Sequence, residues 1–156
     1  MNSVDLAIIG AGPAGMAAAA QAAAVGMNVL LLDEQDGPGG QIFRNIEHAT
    51  QQQRHLLGHG YGAGQKLLDG LLEAQVNHVR RAMVWMVGKD GEIAWSVDGK
   101  ASKSNAKRII IATGALERPV PIPGWTLPGV MTAGAGQILL KQSGLVPQRA
   151  VLAGAG

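Results

Sequence analysis

Twenty-seven consecutive residues, Leu6–Leu32, carry no charged side chain. By length such a run spans a bilayer as one helix. Its glycines and proline argue against that. Gly10, Gly12 and Gly15, with Pro13 among them, crowd the first half, and Gly26 with Asn28 interrupts the second. Gly and Pro are the strongest punctuators of regular structure, so the run divides into three. Val4–Ile9 is a short apolar stretch that stops at glycine, the pattern of a buried strand. Pro13–Val25 is alanine-rich, has proline in its first turn and ends at Gly26, which predicts a helix. Val29–Leu32 is a second apolar strand running into Asp33 and Glu34. Strand, helix and parallel strand in about 30 residues make a βαβ unit. Strands that are apolar on both faces belong to a sheet covered on both sides. Asp5, with no Lys or Arg before it, argues against a secretory leader.

The joint between the first strand and the helix reads Gly10-Ala11-Gly12-Pro13-Ala14-Gly15, a GxGxxG pattern. In this context each glycine has a separate task in a dinucleotide site. The first permits the tight turn, the second lets a pyrophosphate approach the backbone, and the third lets helix and strand pack closely. Free N–H groups and the positive end of the helix dipole then meet the phosphates. The spacing continues through small Ala19 and Gly26 to Asp33, where an acid accepts from the adenosine ribose. Asp33 is favoured by register, and Glu34 takes its place if the strand ends one residue later. An acid there repels a 2′-phosphate. The competing reading is a glycine-rich turn that holds no ligand.

Beyond this unit, Asp36–Arg44 is a glycine-rich loop, and Ile46–Leu57 and Gln65–Gln75 have helical patterns. Gly58-His-Gly-Tyr-Gly-Ala-Gly64 reads as a flexible joint between them. Val76–Val87 and Glu92–Val97 suit strands, with a turn at Lys89-Asp-Gly91. Lys107–Thr113 is a strongly apolar strand that runs into Gly114. Pro119, Pro121, Pro123 and Pro128 then mark a connector. Thr132–Ser143 reads as a helix stopped by Gly144, and Arg149–Gly156 as a strand entering a second Gly-x-Gly turn. The expected organisation is a nucleotide domain over 1–119, a connector with one helix over 120–148, and the first strand and turn of a second nucleotide domain over 149–156.

Composition narrows the function classes. Hydrophobic residues make up 47% and charged residues 15%, the profile of a globular chain. The absence of cysteine excludes a disulfide framework, a CxxC redox pair and cysteine ligation of a metal in this stretch. A net charge of +2 gives no electrostatic footprint for nucleic acid. The densest basic cluster, Lys100, Lys103, Lys107 and Arg108, reads as a solvated loop leading into a strand. His55 and His59 lie four apart, but Gly58 should end their helix and no acidic partner follows at ligand spacing, so no metal site is expected. Gly134-Ala-Gly136 has no strand before it and reads as helix packing. Trp125 reads either as a loop residue on its own prolines or as the rim of a cofactor interface. Tyr61 sits in the glycine joint, a poor platform for acid–base work.

Two further segments bear on the choice of dinucleotide. Pro38-Gly39-Gly40-Gln41-Ile42 resembles the flavin-side loop of the two-dinucleotide FAD/NAD(P)-dependent oxidoreductases, which have the pyridine nucleotide-disulfide oxidoreductase fold. Ile111-Ala112-Thr113-Gly114 resembles the segment of that family that passes near FAD. Gly39–Arg44, Ala112–Pro119 and Pro123–Val130 together resemble a subgroup holding the FAD subunits of opine oxidase, hydrogen cyanide synthase and dye-linked proline dehydrogenase.

The resemblance implies an α/β, Rossmann-like FAD-binding domain with a parallel sheet, helices on its faces and a small antiparallel β-meander. That domain would be discontinuous and incomplete within these residues. FAD would be held by Gly10, Ala11, Gly12, Pro13, Ala14, Gly15, Asp33, Glu34, Gln35, Gly39, Gly40, Gln41, Ala112, Thr113 and Gly114. Arg81 and Ala82 would offer backbone to adenine, although Arg80 and Arg81 also read as ordinary surface arginines. NAD(P) is the cofactor expected of the second nucleotide domain. The implied protein is a cytoplasmic, flavin-dependent enzyme subunit that works with a second flavoprotein subunit on C–N bonds of amino-acid-like or opine substrates. It would have no transmembrane segment and no nucleic-acid partner, and peripheral membrane association of the complex would remain compatible. The rival readings are a stand-alone NAD(P)H-dependent reductase and a scaffold subunit that binds a nucleotide without turnover.

Overall fold

The computed structural model describes residues 2–154. One six-stranded sheet organises them, with strand order β3-β2-β1-β6-β5-β4. Strand β1 is Asn2–Ile9 and lies in the middle. It pairs in parallel with β2, Val29–Leu32, on one side and with β6, Lys100–Ile111, on the other. Strand β3, Asn77–Val79, extends the parallel part beyond β2. Strands β4, Met83–Val87, and β5, Glu92–Val97, continue from β6 as an antiparallel meander. The long β6 therefore joins the parallel half to the meander in a single sheet.

Helices cover one face. Helix α1, Pro13–Ala24, and helix α3, Gly64–Glu73, bring Met16, Ala19, Leu68 and Leu71 against Leu6, Ile8, Val29 and Leu31. Phe43, Ile46 and Tyr61 complete this core. Val4, Ala7, Leu30 and Leu32 form a second buried cluster with Ala82, Ile93 and Ala106, with no helix residue in it. The uncharged run of the sequence thus supplies the middle of two cores. Each fully buried Ile, Leu or Met side chain there stabilises the fold by roughly 1.5–3 kcal/mol.

Several expected elements lie elsewhere. Residues 46–48 form turns, and helix α2 runs over Gln51–Gly62. Its start is set by Thr50, whose side chain accepts from the Gln53 N–H while Gln53 reaches back to the Thr50 N–H, a capping box. The glycine segment 58–64 is mostly helical, with one kink at Gly58. Tyr61 is buried against Phe43, and its hydroxyl donates to the Arg44 carbonyl at 2.7 Å, which anchors the segment.

The single strand read over Val76–Val87 is two strands on opposite edges of the sheet, separated by a turn with Arg81 at positive φ. The basic cluster Lys100–Arg108 is strand rather than loop, entered through an Asp98-Gly99 turn with both φ positive. Helix α4, Ala133–Ser143, starts at an N-cap on Thr132 and ends at Gly144. Residues 149–154 carry no regular structure. A lone strand leaves its backbone groups unpaired, and no described strand lies beside this one. Ala155 and Gly156, the rest of the expected second Gly-x-Gly turn, lie outside the described residues. Among the described residues no helix is long and apolar enough to cross a membrane.

Candidate functional site

The carboxyl ends of β1, β2 and β6 converge, which is where open α/β sheets bind ligands. Gly10 follows β1 and donates to the Leu32 carbonyl at 2.7 Å. Its φ of +103° and the closeness of the Ala112 carbonyl leave no room for a side chain. A Cβ on Gly15 would collide with the Gly10 carbonyl. Ala112 donates to the Ile9 carbonyl at 2.8 Å, so the Ala112–Gly114 segment is seated directly beside the glycine turn.

Gly12 differs from both neighbours. Its φ is −69°, ordinary for any residue, and a Cβ there would meet only Gly40 Cα, at 3.9 Å. The protein's own packing does not require glycine at this position. A side chain there would instead project into the space in front of the turn, where a bound group would lie. Helix α1 also begins with no side-chain cap and no acidic residue in its first turn. Its positive end is therefore open to an anion. Helix α4 is the contrast: its N-terminus is filled by Thr132 and by Glu117, which accepts from the Thr132 hydroxyl and from the Gly134 N–H at 3.1 Å. These hydrogen bonds hold the Glu117 carboxyl below its ordinary range. An uncapped helix start beside a side-chain-free turn fits a pyrophosphate.

Asp33 fastens the site together. Strand β2 ends at Leu32, so Asp33 is the first residue past it. It is buried, and its carboxylate accepts from the Ala11 N–H on one oxygen and the Gln35 N–H, at 2.7 Å, on the other. A carboxylate has about four acceptor positions, so capacity for a ribose hydroxyl remains. Glu34 is exposed, and its carboxylate accepts from the Gln35 side chain. The 33–35 segment is held from behind by Ala82, which donates to the Asp33 carbonyl at 2.8 Å, and by Arg81, which donates to the Gln35 carbonyl at 3.0 Å. The Arg81 guanidinium pairs with Asp98 in the meander, while Arg80 makes a bidentate pair with Glu47.

The second glycine loop closes over the first. Gly39 donates to the Ala11 carbonyl at 2.8 Å, and a Cβ on Gly40 would stand 2.9 Å from Gly12 Cα. Gln41 reaches across and donates to the Ala115 carbonyl at 2.9 Å. The structure thus brings Gly10–Gly15, Asp33–Gln35, Gly39–Gln41 and Ala112–Gly114 into one cradle, with Arg81 and Ala82 at its edge through their backbone. Thr113 and Gly114 are exposed on the open side.

Other sequence candidates lie apart. His55 and His59 are exposed beside the Gly58 kink, along a groove of about 510 Å³ that Arg54 and Lys66 also line. Among the described residues no three His, Asp or Glu side chains gather in one place. Trp125 is partly exposed in the proline segment. Gly134 leaves space for the Glu117 carboxylate, which a Cβ there would strike. Sequence reasoning missed Lys141, buried at 7% exposure and donating to the Gln41 carbonyl at 3.1 Å. It also missed Arg44, which donates to the Gln35 side chain while its Nε has no partner.

A Rossmann-like sheet with such a cradle at its switch point defines a dinucleotide-binding domain. The chain belongs to the pyridine nucleotide-disulphide oxidoreductase family, whose model matches residues 4–156. It is 46% identical over 92% of its length to an opine oxidase subunit of Agrobacterium tumefaciens (strain Ach5). It is 37% identical over 89% of its length to hydrogen cyanide synthase subunit HcnB of Pseudomonas aeruginosa. In each case it spans 30% of the relative's length. The solved L-proline dehydrogenase from P. horikoshii superimposes with a TM-score of 0.71 at 24% identity, covering 89% of this chain and 28% of that one. The two-dinucleotide flavoprotein expectation therefore holds at the level of family, fold and cofactor.

Proposed function

We propose that the full-length protein is the flavin-carrying subunit of a hetero-oligomeric enzyme that oxidises C–N bonds in opine or amino-acid-like substrates. The observation that carries this reading is the 46% identity, over nearly the whole chain, to a subunit of an opine oxidase. When bound, FAD accepts the electrons of the reaction. The chain binds and orients it. The Gly10–Gly15 turn and the start of α1 hold the pyrophosphate, Asp33 accepts from the ribose, and Glu34 and Gln35 border the adenosine. Arg81 and Ala82 border adenine. Gly39–Gln41 and Ala112–Gly114 bracket the flavin side, and the exposed Thr113–Gly114 edge faces the remainder of the FAD domain. A second nucleotide domain, taking NAD(P), begins near Arg149. The protein is cytoplasmic and works with a second flavoprotein subunit.

The test is anaerobic bleaching of the purified full-length protein. We expect yellow protein that bleaches only when both an opine and the partner subunit have been added. Bleaching by NADH alone would support a stand-alone reductase instead. Colourless protein retaining ADP or ATP would support a nucleotide-binding scaffold. Gly12→Val supplies the site control: thermal stability should fall little, because a Cβ there meets only the Gly40 α-carbon, at 3.9 Å, while bound flavin should be lost.

A further inference from the structure

Helix α4 lies outside the sheet, yet one of its residues reaches into the cradle. Lys141 is the one buried base among the described residues, and no carboxylate balances it. Its ammonium donates to the Gln41 carbonyl at 3.1 Å and to the Gln137 side chain at 3.2 Å. Its own carbonyl accepts from the Asn45 side chain at 3.2 Å and, more loosely, from Gln53 at 3.5 Å. Both ends of the residue therefore hold the segment that follows the second glycine loop. Gln41 is gripped from two sides, by Lys141 through its carbonyl and by Ala115 through its side chain.

This is a costly way to dock a helix. A buried ammonium with neutral acceptors loses hydration that those acceptors only partly replace. Burial, with Arg44 nearby, also pushes the Lys141 ammonium below its ordinary range. Methionine of similar length would dock α4 without that penalty. What the ammonium adds is a fixed direction for the carbonyl one residue after Gly40. Gly39 and Gly40 are both at positive φ, and such a loop has other conformations open to it unless something holds it. Pre-organising a loop removes an ordering cost from binding.

We propose that Lys141 is a positioning residue for the cofactor: it locks the Gly39–Gln41 turn in the conformation that receives FAD, so that cofactor retention depends on α4. This rests on the reading that Gly39–Gln41 borders FAD.

The experiment compares wild type, Lys141→Met, Lys141→Arg and Gly12→Val in the full-length protein. FAD affinity is read by flavin fluorescence titration of the apoprotein, and the apoprotein Tm is measured alongside. We expect Lys141→Met to keep or raise the apoprotein Tm while weakening FAD binding roughly tenfold, the worth of one hydrogen bond to a charged donor. Lys141→Arg, which still donates, should recover most of the affinity. If Lys141→Met binds FAD as wild type does, the proposal is overturned. Affinity and Tm falling together, without recovery in Lys141→Arg, would make the residue merely structural and overturn it too. If Gly12→Val also retains FAD, the cradle reading itself fails. If only Gly12→Val loses it, the cradle stands and Lys141 has no positioning role.

Discussion

Gly40 lies over Gly12 so closely that a Cβ on Gly40 would stand 2.9 Å from the Gly12 α-carbon, while a Cβ on Gly12 would stand 3.9 Å from the Gly40 α-carbon. The two glycines are therefore not equivalent. Gly40 also has a φ of +59°, which costs an L side chain about 1 kcal/mol. Gly40→Ala should lower both stability and flavin content, because backbone must move. Gly12→Ala should lower flavin content alone. Urea unfolding of apoprotein, paired with flavin absorbance of the purified protein, separates the two. Equal loss of stability in both variants would refute the distinction.

Asp33 accepts one N–H on each carboxylate oxygen. Asparagine has a single acceptor oxygen, so Asp33→Asn leaves a buried N–H facing an amide NH₂. Such an unsatisfied group costs about 1–3 kcal/mol. We expect a lower urea midpoint with an unchanged m-value, together with weaker FAD retention. Glu34→Gln, at an exposed position, should change neither by much. A larger effect at Glu34 would transfer the ribose role to it.

His78 on β3 is half-buried, its Nε2 has no partner, and burial, with help from Arg80, pushes its imidazolium below the ordinary histidine range. The unfolded chain, with histidine near its usual value of about 6.5, binds the proton first as pH falls. Stability should therefore be full above about pH 6.5, drop as pH falls toward the lowered folded value, and level off below it. His78→Gln should flatten this segment of the stability–pH curve. An unchanged curve would show that His78 titrates equally in both states.

Glu117 and Thr132 together fill the start of α4. Gly134→Ala should displace the Glu117 carboxylate and speed amide exchange in the first turn of α4. Adding Glu117→Gln should then do little more, since both changes remove one interaction. The carboxyl is held low in the folded state, so this protection should persist at neutral pH and be lost as pH falls through the lowered folded value. Additive effects of the two substitutions would break the link.

The βαβ unit is legible because nothing from Leu6 to Leu32 is charged and its turn residues stand at fixed offsets. The start of β6 was hidden by its composition. Its inward positions are small Ser104 and Ala106, and its outward ones Lys103 and Lys107, so the period of two carries little apolar signal. The Asp98-Gly99 hairpin turn was the available clue. The apolar Ile46 extends the helical pattern toward the N-terminus, whereas the Thr50–Gln53 capping box marks the true start of α2. The four cradle segments could each be read locally, but their mutual closeness could not. Lys141 gave no local signal at all. A lysine on a helix reads as solvated, and only the tertiary approach of α4 to Gln41 buries it.

The pairing of Ile9 with Ile111 has a consequence for synthesis. Strand β1 is central to the sheet, yet one of its two neighbours emerges from the ribosome roughly 5–20 s later at ordinary elongation rates. Through that interval β1, apolar from Leu6 to Ile9, presents an open edge, the template that promotes aggregation. Chains interrupted before Ile111 should therefore partition into the insoluble fraction, while those carried past β6 escape it. Soluble yield in the cell would then be governed by how well that edge is shielded until β6 arrives.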